Sequence, residues 1–234
     1  MKLEICTNSY QSAMNAQKAG ADRIELCSEL SVGGITPSYG VLKKVSKEIT
    51  IPVNVLIRPR SGHFHYSEEE FSLMKEDIKL CKQLGFNGIV SGVLNSDNSI
   101  DIARTKELIE LSKPLSFTFH RAFDCVSNPK KSLETLIELE VDSILTSGSQ
   151  ERAAQGIELL KELNRLAKGR IIILPGSGIN SKNAKLFKEA GFQEIHSSAS
   201  RIIREENSIF FGNTPQTESD ITTIKEILKV IKNA

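Results

Sequence analysis

Eight short apolar bursts recur along this chain of 234 residues, each closing on a polar residue or glycine and separated from the next by an amphipathic stretch. They cover Lys2–Cys6, Arg23–Cys27, Val53–Ile57, Gly88–Ser91, Ser116–His120, Ser143–Ser147, Ile171–Pro175 and Glu194–Ser198. Bursts of strand length that alternate with helical periodicity mark βα units, in which each strand returns through a helix to a parallel neighbour. Residues 10–20 and 67–84 carry apolar positions at helical spacing and supply two of those helices. Eight such units predict an α/β fold, a (β/α)8 TIM barrel forming a single domain over 1–234, with function at the C-terminal ends of the strands.

Side chains alternate along a strand, and the face of a barrel that meets the helices must be apolar. This rule points Leu3 and Ile5 outward and Glu4 and Cys6 inward, then Ile24 and Leu26 outward and Arg23, Glu25 and Cys27 inward. Val53, Val55 and Ile57 face the helices while Asn54 and Arg58 face the interior. Phe117 and Phe119 point out and Ser116, Thr118 and His120 in; Ile195 points out and His196 and Ser198 in. The fourth, sixth and seventh bursts are too apolar or too rich in glycine for alternation to decide. Barrel interiors are usually filled by Val, Ile and Leu, so carboxylates, thiols, imidazoles and a guanidinium aimed at one axis require a cause. One cause is an ion-pair network in which Arg23 and Arg58 neutralise Glu4 and Glu25. The other, which the cost of burying charge favours, is a functional site at the mouth.

The loops add donors. Arg58-Pro59-Arg60-Ser61-Gly62-His63-Phe64-His65-Tyr66 brings two guanidiniums and two imidazoles near the rim, although His63 and His65 also fit solvated loop positions. Pro175-Gly176-Ser177-Gly178-Ile179-Asn180 leads into a helix, and His196-Ser197-Ser198-Ala199 leads into another. Barrels bind phosphate between these two loops through backbone amides; the alternative for the first is a tight turn with Ser181 capping the next helix.

Two chemistries follow. In one, Cys6 and Cys27 end neighbouring strands on one face, near enough to share one soft ion, although two reduced thiols also simply fill space there. In the other, Glu4, Glu25 and His120 form a metal-independent acid/base set. Arg58, Arg60, Arg121, Gly176, Gly178, His196 and Ser198 then hold a small anionic sugar- or phosphate-like substrate of a lyase, isomerase or hydrolase.

Composition narrows the partners. Thirty Lys and Arg against 29 Asp and Glu leave a net charge of +1, so no field of one sign draws the chain to nucleic acid or an anionic membrane. Met1-Lys2-Leu3-Glu4 introduces charge at once, and no segment approaches the roughly 20 apolar residues of a membrane span, which predicts a cytoplasmic protein. The four cysteines, at 6, 27, 81 and 125, lack CxxC spacing and read as reduced thiols. Cys81 lies on an apolar helix face and belongs to the core; Cys125 follows the His120-Arg121-Ala122-Phe123-Asp124 run near the mouth without a defined partner.

Several longer motifs stand in one order: Gly20-Ala21-Asp22-Arg23-Ile24-Glu25-Leu26-Cys27, Gly33-Gly34-Ile35-Thr36-Pro37-Ser38, Ile57-Arg58-Pro59-Arg60 and Thr118-Phe119-His120-Arg121-Ala122-Phe123-Asp124. Ile144-Leu145-Thr146-Ser147-Gly148, Pro175-Gly176-Ser177-Gly178 and His196-Ser197-Ser198 complete them. On these motifs nearly the whole chain resembles the CutC family. The resemblance implies a cytoplasmic TIM barrel, a homodimer or higher homo-oligomer, and a role in copper homeostasis with Cu(I) at the thiols matching Cys6 and Cys27. The chain departs from the family at Ser61-Gly62-His63-Phe64, where Gly-Gly-Asp-Phe is more usual, and at Ser177, where the turn usually has glycine. Any rim role that needs a carboxylate at 63 is therefore lost, and an imidazole that can donate a hydrogen bond or ligate a metal takes its place.

Overall fold

The computed structural model describes residues 1–205, 207–210, 212–213 and 215–232. Eight parallel strands, β1 (Lys2–Thr7), β2 (Arg23–Leu26), β3 (Val53–Leu56), β4 (Gly88–Ser91), β5 (Ser116–Phe119), β6 (Ser143–Thr146), β7 (Ile172–Pro175) and β8 (Glu194–Ser197), form one curved sheet. They run in sequence order from β7 back to β1, and β1 then pairs β8, so the barrel is closed except for a seam between β7 and β8. The helices are α1 (Tyr10–Ala19), α2 (Tyr39–Glu48), α3 (Glu68–Gln83), α4 (Ile102–Ser112), α5 (Pro129–Glu138), α6 (Ile157–Ala167), α7 (Ala184–Glu189) and α8 (Ile221–Lys232). Local chemistry sets their ends. Ser9 caps α1 by accepting from the Ser12 amide, and Ser67 with Glu70 forms a reciprocal capping box at the start of α3.

The TIM-barrel fold read from the bursts is the observed one, and the strand ends differ by about one residue. Cys27, Ile57, His120, Ser147 and Ser198 lie just past the hydrogen-bonded ladder, where the backbone begins to splay into loops. Alternation orients the strands as expected: Leu3, Ile5, Ile24, Leu26, Val53, Val55, Ile57, Phe117, Phe119 and Ile195 all join the core beneath the helices. Ile89, Ile144 and Ile173 join it too, which decides the three ambiguous strands. Each fully buried side chain of this size contributes about 1.5–3 kcal/mol, so the register is strongly specified. A second, smaller cluster of Cys6, Cys27, Leu56 and Val90 occupies the barrel axis, with Leu30 packed on it. Cys81 is fully buried on α3, and all four cysteines are free thiols.

Two expectations fail. The segment after β8 does not enter a helix: Ser200–Arg204 is a strand, paired antiparallel with Gln216–Ser219, and α8 begins only at Ile221. The adjacent β-branched residues Ile202 and Ile203 favour extended backbone, and the hairpin is anchored where Asn15 donates to the Ser219 carbonyl and the Ser219 amide donates to Ser12 Oγ. Nor does Ser181 cap the next helix. Asn183 accepts from the Asn180 amide and Asn180 accepts from the Lys182 amide, which satisfies this turn from within, while the Ser181 hydroxyl donates to Glu226. Among the described residues no helix is long and apolar enough to cross a membrane.

Candidate functional site

The ladder registers build the floor of the site. Glu4 lies opposite Arg23 on one side and His196 on the other, and Cys6 lies opposite Glu25. Arg23 Nε donates to Glu4 Oε2 at 2.5 Å and its Nη2 donates to Glu194 Oε2 at 2.7 Å, while Lys2 reaches Glu194 at 3.2 Å. His196 Nδ1 donates to Glu4 Oε1 at 2.8 Å. Burial alone would raise the Glu4 carboxyl, but the Arg23 charge and the His196 bond outweigh it and bring its pKa down to about 2. Glu4 is therefore an ionised acceptor. Burial likewise opposes charge on His196, yet its bond to Glu4 and the neighbouring Glu25 raise its pKa overall. The ion-pair network foreseen from sequence is half right: Arg23 neutralises Glu4, but its second partner is Glu194, and Arg58 takes no part in it. Glu194 was legible, since it sits two residues before His196 on the same inward face.

Above the floor lies the thiol layer. Cys6 Sγ is 3.6 Å from Cys27 Sγ and 3.7 Å from Glu25 Oε1. Ligand atoms of Cys6, Glu25 and His196 all fall within 4.8 Å of one another. Glu25 is buried, its Oε2 has no hydrogen-bond partner, and burial pushes its pKa up to about 7. The Cys6 thiol is pushed well above its usual range by its bond to Cys27, by burial and by the nearby carboxylates. Gly34 closes this layer with φ +85; a Cβ there would meet Leu56 at 2.7 Å and the Cys27 Cβ at 3.3 Å, so only glycine lets the loop lie on the thiols.

A cavity of about 270 Å³ opens upward from Cys6, Glu25 and His196 and is lined also by Arg58, His120, Arg121, Gly178 and Ser198. Ser177, from the glycine-rich loop whose amides the sequence offers to an anion, shares in it with Leu30, Leu56, Phe64, Leu145 and Ile179, five side chains for which alternation and charge carry no signal. Arg58 is buried, with Nη1 donating to the Val32 and Gly34 carbonyls and Nη2 to that of Gly62. His120 is buried, accepts from the Ala122 amide through Nδ1, and has its pKa lowered to about 3 by burial and by Arg58. Arg121 pairs with Asp124 at 2.8 Å and donates to Ser147.

Arg60 and Gly176 do not join them. The Arg60 guanidinium is turned to Glu70 and to the carbonyls of Ser61, His63 and His65, so it braces its own loop. The Gly176 amide is spent on the Thr146 carbonyl at 3.0 Å, and a Cβ there would strike Leu145 at 2.6 Å; the residue is small to let strands and side chains pass. His63 and His65 stack on each other outside the cavity with ring centroids 5.0 Å apart, and Cys125 is exposed.

A family model described as the CutC family matches residues 1–201. A Homo sapiens protein named copper homeostasis protein cutC homolog is 44% identical over 229 residues, covering 97% of this chain and 84% of its own length. A family protein CutC of Klebsiella pneumoniae (strain 342) is 48% identical over 198 residues, covering 84% and 79% respectively. The crystal structure of a CutC from Streptococcus agalactiae superposes with a TM-score of 0.80 at 36% identity, covering 85% of this chain and 98% of that one.

Proposed function

The chain belongs to the CutC family, and from that premise we propose that it acts in copper homeostasis by holding Cu(I) at the barrel mouth through Cys6 and Cys27. The observation that carries this reading is the pair of buried sulfurs 3.6 Å apart on adjacent strands. Thiolate is the ligand type that suits Cu(I), and two thiols already in contact need little rearrangement to share an ion.

The donor set around them supports the fit. With ligand bonds of ~2.3 Å, a 3.6 Å separation subtends roughly 100° at the ion, well short of the linear pair that two sulfurs alone would form. That angle leaves room for a further ligand, and His196 and Glu25 are within reach. His196 has the arrangement common to metal-binding imidazoles, one ring nitrogen held by a carboxylate and the other left for the ion. Cu(I), as cargo, would displace the proton that burial and Cys27 keep on the Cys6 sulfur.

Competition against a Cu(I) chelator under anaerobic conditions tests the reading. One Cu(I) per chain is expected, with the Cys6→Ser/Cys27→Ser variant weakened by well over roughly a hundredfold; unchanged affinity in that variant overturns it. The same reading has the chain act as one barrel domain in the cytoplasm, as a homodimer or higher homo-oligomer. Four free thiols support a reducing compartment, and exposed Ile202 and Ile203 on the hairpin after β8 support an oligomer contact.

A further inference from the structure

Arg58 is a buried guanidinium without a counter-ion. It is 5% exposed, its Nη atoms donate only to three backbone carbonyls, and among the described residues no carboxylate lies within ion-pair distance of it. Arg23, Arg60, Arg104, Arg121 and Arg170 each meet one. Carbonyl dipoles offset a buried charge only in part, so a cation left this way in a cavity wall calls for an anion.

His120 lines the same cavity and is 4% exposed. Its Nδ1 accepts from the Ala122 amide at 3.3 Å, and burial beside Arg58 keeps the ring neutral at physiological pH. The single ring proton therefore sits on Nε2, and that N–H is buried with no acceptor. A cation and a neutral N–H donor thus wait in one wall. Glu25 lines the same cavity with its own unpartnered Oε2, and a monoanion asks less of a single guanidinium than a dianion such as a phosphate monoester would. Leu30, Leu56, Phe64, Leu145 and Ile179 give the cavity an apolar side, beside the polar Arg121, Ser177, His196, Ser197 and Ser198, and its volume of about 270 Å³ is at the small end for a ligand pocket.

We propose that this half of the barrel mouth binds a small monocarboxylate, its head at Arg58 and His120 and its body against the apolar wall, in a site that does not require copper. Both oxygens of a planar carboxylate accept at once, one from each donor group, and the single charge matches the single uncompensated guanidinium.

The test is calorimetric titration of the chelator-treated, metal-free chain with two- to eight-carbon monocarboxylates, among them 3-methylbutanoate and benzoate. The alcohol 3-methylbutan-1-ol and inorganic phosphate serve as comparison probes. At least one carboxylate is expected to bind at one per chain, with the alcohol and phosphate inert. His120→Asn keeps an acceptor for the Ala122 amide but has no group at the Nε2 position, and should weaken binding about tenfold or more. His120→Gln returns an N–H to that position and should restore it. Titration of the wild-type chain labelled with ¹⁵N-histidine gives the same answer without a variant: the His120 Nε2–H resonance should move with the carboxylate and stay still with the alcohol. Failure of every carboxylate to bind, phosphate binding as tightly as the best of them, or an affinity and a resonance indifferent to His120 would each overturn the proposal. None of these outcomes bears on Cu(I) at the thiols, because the measurement is made without metal.

Discussion

Acid should destabilise this fold through His120 in a window that its burial defines. An unfolded chain binds a proton at this imidazole near pH 6.5, whereas the folded ring refuses it down to about 3. Between those values the unfolded state holds more protons, so stability is fully present above pH 6.5 and declines as the pH falls toward 3. At about 1.4 kcal/mol per pH unit the whole window is worth about 5 kcal/mol, and the part between pH 6.5 and 5 about 2 kcal/mol. Other groups titrate in the same range, notably Glu25 and His196, so the measurement must be differential. Urea unfolding of the wild type and of His120→Asn at pH 7 and pH 5 isolates the term, because contributions common to both proteins cancel. The wild type should lose about 2 kcal/mol more than the variant over that step. Two profiles that fall in parallel would refute the argument and mean that the folded His120 takes up a proton as readily as the unfolded one.

Glu4→Gln removes the anion that anchors His196 and one of the two carboxylates around Arg23. Stability should drop by about 3–5 kcal/mol on urea unfolding, and Cu(I) affinity by about 10–100-fold in chelator competition even though both thiols remain. Gly34→Ala forces a side chain into a positive-φ position against Leu56 and Cys27, and should cost on the order of 1–3 kcal/mol in thermal or urea unfolding while also weakening Cu(I) binding. A stable Gly34→Ala chain with unaltered copper affinity would mean that the loop can retreat from the thiols.

What the sequence could determine was everything that repeats at short range. A period of two along strands and an apolar stripe along helices are local properties, and they place eight strand ends within about a residue and turn Glu4, Cys6, Glu25, Cys27, His120 and His196 toward the axis. The same alternation extends to Glu194, two residues before His196, but its pairing with Arg23 depends on a strand 171 residues away in the chain and has no local signal. Tertiary structure decided what long side chains and loops do once they arrive. Arg58 and Arg60 lie two residues apart in one loop, yet one turns inward to three carbonyls and the other outward to Glu70, a choice made by the paths of the loops carrying Val32, Gly34 and Gly62. Leu30, Phe64 and Ser177 enter the cavity for the same reason, being carried there by backbone that obeys no periodicity. Strands four, six and seven needed the packed core to show which face was which, because a strand apolar on both faces carries no local record of direction. The 3.6 Å between Cys6 and Cys27 belongs to this second class: alternation aims both thiols at one axis, and only the parallel register of β1 and β2 brings them into contact.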